Sequence, residues 1–231
     1  MDGELKQVRV WDLPTRVFHW ALVLCVTGSL VSVKIGGNAM VWHGRCGLAV
    51  IGLLVFRLAW GFLGSTYARF AQFVRGPAAI RAYLRGEWRG AGHNPLGALS
   101  VLAMLGALLL LAGTGLFAND DIAFEGPLYA LVGKAFSDRL TALHNLFEPL
   151  ILLLVAAHLC AIAYYVRIRG ETLILPMITG RKAGGEPARG GGTAVFCIAL
   201  ALALAAVYGA SGAWLPEPPA APAGAGSAPS F

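Results

Sequence analysis

Residues 140–166, LTALHNLFEPLILLLVAAHLCAIAYYV, carry two histidines fourteen positions apart, His144 and His158. Fourteen residues at about 100° each make roughly four helical turns, so both imidazoles leave the same face of a helix. At the helical rise they stand about 21 Å apart along the axis. That spacing is most of a hydrocarbon core about 30 Å thick. One apolar helix therefore offers an imidazole near each membrane surface. A polar ring inside a bilayer is costly and marks function. The simplest use for two of them is to hold two haem irons, one above the other.

The rest of the chain agrees with a membrane setting. Its 231 residues are 57% hydrophobic and 13% charged, with mean hydropathy +0.68. Apolar stretches long enough to span a bilayer are expected at 17–35, 41–63, 96–117, 140–166 and 193–215. None reads as a cleavable signal peptide. The first follows a polar-rich segment, carries His19, and lacks a small-residue cleavage site behind it.

The net charge of +6 is distributed by topology. Lys6, Arg9 and Arg16 precede the first span. Arg69, Arg75, Arg81, Arg85 and Arg89 lie in the 64–95 connection, and Arg167, Arg169, Arg181, Lys182 and Arg189 in the 167–192 connection. The opposite side has only Lys34, Lys134 and Arg139, with Arg45 just inside the second span. The positive-inside rule places the N-terminus in the cytoplasm and the C-terminus in the periplasm of a bacterial inner membrane. The outer 118–138 loop then holds Asp120, Asp121, Glu125 and Asp138. Because the basic residues flank spans and are not gathered on one soluble surface, nucleic-acid binding is not the reading.

Cys25, Cys46, Cys160 and Cys197 all fall within spans, with no CxxC and no CxxCH. Covalent c-type haem and a zinc site are therefore not expected, and the thiols read as small core residues. The organisation expected is a transmembrane domain at 1–182, a Gly-rich linker at 183–192, an added helix at 193–215 and a Pro/Ala-rich tail at 216–231. The added helix has many small residues and no histidine, which suits helix packing or a homodimer contact. The aromatics and arginines of 64–95 suit an amphipathic segment on the inner surface.

Depth then sorts the five histidines. With the N-terminus inside, His19 starts span one near the inner surface and His43 starts span two near the outer surface. In span four His144 is outer and His158 inner. Depth pairs His19 with His158 and His43 with His144. Two inner and two outer imidazoles match two six-coordinate b-type haems, and closing both axial positions favours electron transfer over ligand chemistry. Four unrelated buried histidines, in helix contacts or a proton path, would have to match in depth by accident.

Several stretches resemble one family. They are WDLPTRVFHW (11–20), WHGRCGLAVIGLLVFRLAWGFLGSTYARF (42–70), GHNPLGALS (92–100) and LPMITGRK (175–182). Together they resemble the prokaryotic cytochrome b561 family, and within it the branch that includes the cytochrome b subunits of nickel–iron hydrogenases. The resemblance covers about 8–182 and implies a four-helix membrane bundle with two non-covalent haem b groups. It implies ligands from helices one, two and four, which map onto His19, His43, His144 and His158. The fifth helix departs from that four-helix pattern. The resemblance also implies electron exchange with a quinone at one end and with a periplasmic redox protein, such as a hydrogenase or a c-type cytochrome, at the other.

Further polar residues fall near the expected haems. Arg57, fourteen after His43, shares its face of span two near the inner surface. It suits a propionate of the inner haem or snorkelling to lipid headgroups. Arg16 suits the inner propionates and Arg45 the outer ones. Glu148, four after His144 and next to Pro149, suits a quinol proton, a ring nitrogen or plain solvation. His93, before Asn94 and Pro95, suits an interfacial cap or a quinone or proton contact. The acidic outer loop suits a docking surface or a solvated connection. The function expected is a quinone-linked electron-transfer subunit. Other readings are a stand-alone quinone reductase fed by a small donor such as superoxide, a haem-bound sensor, and a haem-free transporter or membrane anchor.

Overall fold

The computed structural model describes residues 7–88, 92–184 and 186–216. A short strand β1 (Gln7–Arg9) leads into helix α1 (Leu13–Ile35). Asp12 caps α1 by accepting the Thr15 amide at 2.8 Å, and Pro14 sits in the first turn, where its missing N–H costs nothing. Gly36 follows with φ +70, letting the chain reverse into α2 (Met40–Leu63). The 64–95 connection holds the short helices α3 (Phe70–Phe73) and α4 (Pro77–Leu84). Helix α5 (Pro95–Gly115) is capped by Asn94, whose side chain accepts the Gly97 amide at 2.7 Å. Helix α6 (Lys134–Arg167) contains Pro149, and α7 (Ile174–Thr179), β2 (Arg181–Ala183) and α8 (Thr193–Ala210) complete the described chain.

Five helices, α1, α2, α5, α6 and α8, are long and apolar enough to cross a membrane. Their bounds shift from the hydropathy expectation chiefly at three ends: α1 starts at Leu13 rather than 17, and the other two lie in α6 and α8. Helix α6 starts at Lys134 rather than near 140, because KAFSDR is helical but too polar to score as span. Its 34 residues reach about 51 Å, beyond a core of about 30 Å. Helix α8 stops at Ala210, five residues short of the expected end.

Helix α2 is the hub. It packs on α1, on α5 and along α8, while α5 packs on α6. Buried Leu54, Phe56, Trp60, Leu105, Leu108 and Ile151 form the centre of the core. Most other large apolar side chains point outward, Leu24, Phe62, Leu153 and Leu204 among them, as expected of helices solvated by lipid. The close approach of α8 depends on Gly52, where a Cβ would come within 2.6 Å of Val207, and on buried Ala199 and Ala203.

Part of the stretch expected as linker and its approach is ordered. Strand β2 pairs antiparallel with β1, Gln7 opposite Ala183. Farther on, the Thr66 amide donates to Arg189 O at 2.8 Å and Ser65 bridges Gly190. The chain before α1 and the chain after α7 are thus tied together at one end of the bundle. The Pro/Ala-rich tail from 217 onward lies outside the described residues.

Candidate functional site

At the other end, α2 and α6 bring His43 and His144 face to face. Their ring centroids are 6.0 Å apart and the planes cross at 79°. Each ring is fixed by its Nδ1. His43 Nδ1 lies 3.0 Å from Ser29 Oγ and 3.1 Å from the Ser29 carbonyl. His144 Nδ1 lies 2.8 Å from the Leu111 carbonyl. An Nδ1–H that donates to a carbonyl leaves Nε2 unprotonated and ready to ligate. Gly115 makes room for this, since a Cβ there would sit 2.9 Å from the His144 ring.

Both rings line a cavity with about 900 Å³ of space that no atom fills, counting its open side. The other walls are mainly apolar, among them Val26, Leu48, Leu108 and Ile151, with Gly44 and Gly47 leaving bare backbone for a flat group to approach. Glu148 stands at this cavity and pairs with Lys34 at 3.1 Å. It thus ties α6 to the end of α1, and its partner is the lysine, not a ring nitrogen. Arg45 lies over Trp42, its guanidinium carbon 4.9 Å from the ring centroid.

His19 and His158 occupy the opposite end, close enough to interact electrostatically. His19 Nδ1 is buried and has no protein partner among the described residues. Arg57 is only 3% exposed. Its guanidinium stacks on Phe70, 4.9 Å away, and Phe73, 5.9 Å away, with Nη1 buried and unpartnered among the described residues. Arg16 donates to the Ile178 carbonyl of α7 while its Nε is buried without a partner. Trp20 Nε1 donates to the Met177 carbonyl at 3.1 Å, so two side chains of α1 hold α7 in place.

His93 is wedged between Trp11 and Phe73, with ring centroids 4.7 Å away on each side. Burial, with Arg57 and His158 nearby, pushes its pKa down to about 3, so the ring is neutral. Asn94, not His93, is the helix cap. In the 118–138 loop the Asp120 carboxylate accepts the amides of Phe124, Ile122 and Ala123 at 2.8–2.9 Å, which hold its pKa below the usual range.

Two residues that sequence reasoning passed over matter here. Ser29 orients His43, and its only signal was a hydroxyl inside an apolar span. Asp12 accepts Trp60 Nε1 at 2.9 Å with the oxygen that capping leaves spare, joining α1 to α2. Its signal was the Asp–x–Pro start of a helix.

The residues present fit haem. Two metal–imidazole bonds of about 2 Å plus the half-width of each ring span about the separation of His43 and His144. At the His19–His158 end, Arg57 and Arg16 each keep a buried N–H without a partner among the described residues, which suits the carboxylates that haem carries.

Comparisons with known proteins point the same way. The family described as prokaryotic cytochrome b561 matches residues 10–180. A probable Ni/Fe-hydrogenase B-type cytochrome subunit of Rhizobium leguminosarum bv. viciae is 24% identical over 220 residues, covering 79% of this chain and 90% of that protein. A probable Ni/Fe-hydrogenase 1 B-type cytochrome subunit of Escherichia coli K12 is 22% identical over 145 residues, covering 48% of this chain and 61% of that protein. No solved structure matches the chain. The matched span takes in α1 through α7 with His19, His43, His144 and His158, and by it this integral membrane protein belongs to the prokaryotic cytochrome b561 family.

Proposed function

We propose that the protein is a di-haem b-type cytochrome that relays electrons across the bacterial inner membrane. Its ends would meet a quinone pool and a periplasmic redox protein, a hydrogenase by analogy with the relatives' names. The observation that carries this reading is the facing pair His43 and His144, each with Nδ1 engaged, around one apolar cavity.

His43 and His144 would hold the outer haem, and His19 and His158 the inner one. When bound, haem supplies reversible one-electron transfer at its iron. The protein's part is placement and electrostatics. Ser29 and the Leu111 carbonyl fix the two outer rings in the tautomer that presents Nε2. The apolar walls keep water out, which strengthens every charge interaction inside. Arg57 and Arg16 would face the inner propionates and favour the more negative, reduced state. Helix α6 donates one ligand at each end and so fixes the distance between the two centres. Arg45 would serve the outer propionates more weakly, since it is exposed. Glu148, at the outer cavity, would be the group to meet quinone protons, whereas His93, buried between Trp11 and Phe73, is the poorer candidate. The basic connections support an N-terminus in the cytoplasm, which would leave the end of α8 in the periplasm.

The test is a pyridine haemochrome assay on the purified protein with a reduced-minus-oxidised spectrum. Two non-covalent haem b per chain with sharp low-spin bands are expected. One haem, or a high-spin signature, would sink the pairing.

A further inference from the structure

We propose that the groove between α2 and α5 is a binding site for one acyl chain of an anionic phospholipid, with Arg69, the residue before Phe70 of its wall, holding the phosphate. This site is separate from the haem cavity, and the inference does not depend on the haem reading.

The groove encloses about 730 Å³ of space that no atom fills, counting its open side. Its lining is Leu54, Leu58, Phe62 and Phe70 on one wall and Leu102, Leu105, Gly106 and Leu109 on the other. Leu54 and Leu105 form a buried floor, while Leu58, Phe62, Leu102 and Leu109 are exposed at the rim. The groove is therefore open sideways, toward the lipid that surrounds such a helix face. None of these side chains carries a hydrogen-bonding group. A quinone ring would bury its carbonyls here unpaired, which is costly, whereas a hydrocarbon chain loses nothing.

Length agrees. From Leu54 to Phe62 the helix rises about 12 Å. One leaflet of a bilayer core is about 15 Å deep. The groove starts at the end of α2 that the basic connections place at the inner surface and runs toward the bilayer centre. It is matched to one chain of one leaflet.

Charge chooses the headgroup. Phe70 lines the groove and is seated on bare backbone, since a Cβ at Gly61 would be 2.1 Å from its ring. Its neighbour Arg69 has a buried Nε with no partner among the described residues. A guanidinium in that state at a lipid surface wants an anion with oxygen acceptors. The phosphate of a phospholipid, at headgroup level above its own acyl chain, is such an anion, and a net negative lipid adds attraction from Arg75 nearby in sequence.

Gly106 makes the site testable, because a Cβ there meets nothing within 4 Å. A larger residue should fill the groove without straining the helix. Protein stripped of bulk lipid in detergent is titrated with dioleoylphosphatidylglycerol and followed by native mass spectrometry. Parallel titrations use dioleoylphosphatidylcholine and a short-chain ubiquinone. One tightly retained phosphatidylglycerol is expected, weakened about tenfold or more in both Gly106→Phe and Arg69→Gln. An unchanged circular dichroism spectrum and thermal unfolding midpoint certify the fold of each variant. If Gly106→Phe disturbs that spectrum, Leu109→Phe at the rim is read in its place. Retention unchanged in the groove variants overturns the site. Equal retention of phosphatidylcholine, or no effect of Arg69→Gln, overturns the choice of an anionic lipid. Displacement of phosphatidylglycerol by the quinone makes the groove a quinone-tail site and overturns the lipid.

Discussion

The two ends of the bundle solve the same problem differently. At the His43–His144 end, the outer one in the proposed orientation, the protein meets its own polar needs. Each histidine has an Nδ1 partner, Glu148 has Lys34, and the rings already face each other at 6.0 Å. At the inner end the polar atoms outnumber their partners. The buried side-chain atoms without a hydrogen bond among the described residues belong to Thr15, Arg16, His19, Arg57, Ser65, Arg69 and His93, and all lie at that end. Three of the seven are arginines, so what is missing there is negative charge. A buried polar atom is normally paired, and an unpaired cation is the costliest kind to leave. The His43–His144 end is thus organised by the protein alone, whereas at the opposite end Arg16 and Arg57 would be met by the propionates of the proposed haem and Arg69 by the proposed lipid phosphate.

The sharpest way to break this comparison is to remove one ligand at each end. His144→Ala should lose the outer haem and His158→Ala the inner one, lowering the haemochrome yield to about half in each case, since a single imidazole leaves an axial position open. Two low-spin haems retained in either variant would void the pairing. Next in size is Gly115→Ala. Its new methyl would meet the His144 ring at 2.9 Å, so the outer haem should turn partly high-spin while the inner spectrum holds. An unaltered outer spectrum would mean that α5 can move aside.

Arg57→Gln should lower the inner haem's midpoint potential by on the order of 50 mV, close to tenfold in a one-electron equilibrium, because a nearby cation favours reduction. An unchanged potentiometric titration would assign Arg57 to packing on Phe70 and Phe73. The smallest effect belongs to Lys34→Gln. The lysine side chain is 72% exposed, and such ion pairs contribute little. Outer potential and thermal stability should barely move, and a large loss of either would show that the Lys34–Glu148 tie closes the cavity.

Much of this was legible in the sequence because two strong periodicities coincide. Long apolar runs mark the spans, and the depth of each histidine follows from its place in its run. The same arithmetic finds the facing of His43 and His144 without any knowledge of how helices pack. What it cannot find is a partner set by the packing itself. Ser29 meets His43 because of how α1 lies against α2, not because of any motif. Strands β1 and β2 are three residues each, too short for an alternating pattern to emerge, and β2 sits where glycine and charge suggest a linker. The first turn and a half of α6 was missed because hydropathy measures what lipid tolerates, while the helix continues past the lipid.

The seat of α8 on α2 bears on the order in which the protein can assemble. Gly52, Phe56 and Trp60 of the second span receive their cover from Phe196, Ala199, Ala203 and Val207, which are synthesised about 150 residues later. Until the ribosome has passed that point, the hub of the bundle must present this face to lipid or to a neighbouring chain. Chains halted before α8 should therefore be the ones that linger with the insertion machinery or self-associate, even though every proposed haem ligand is already in the membrane.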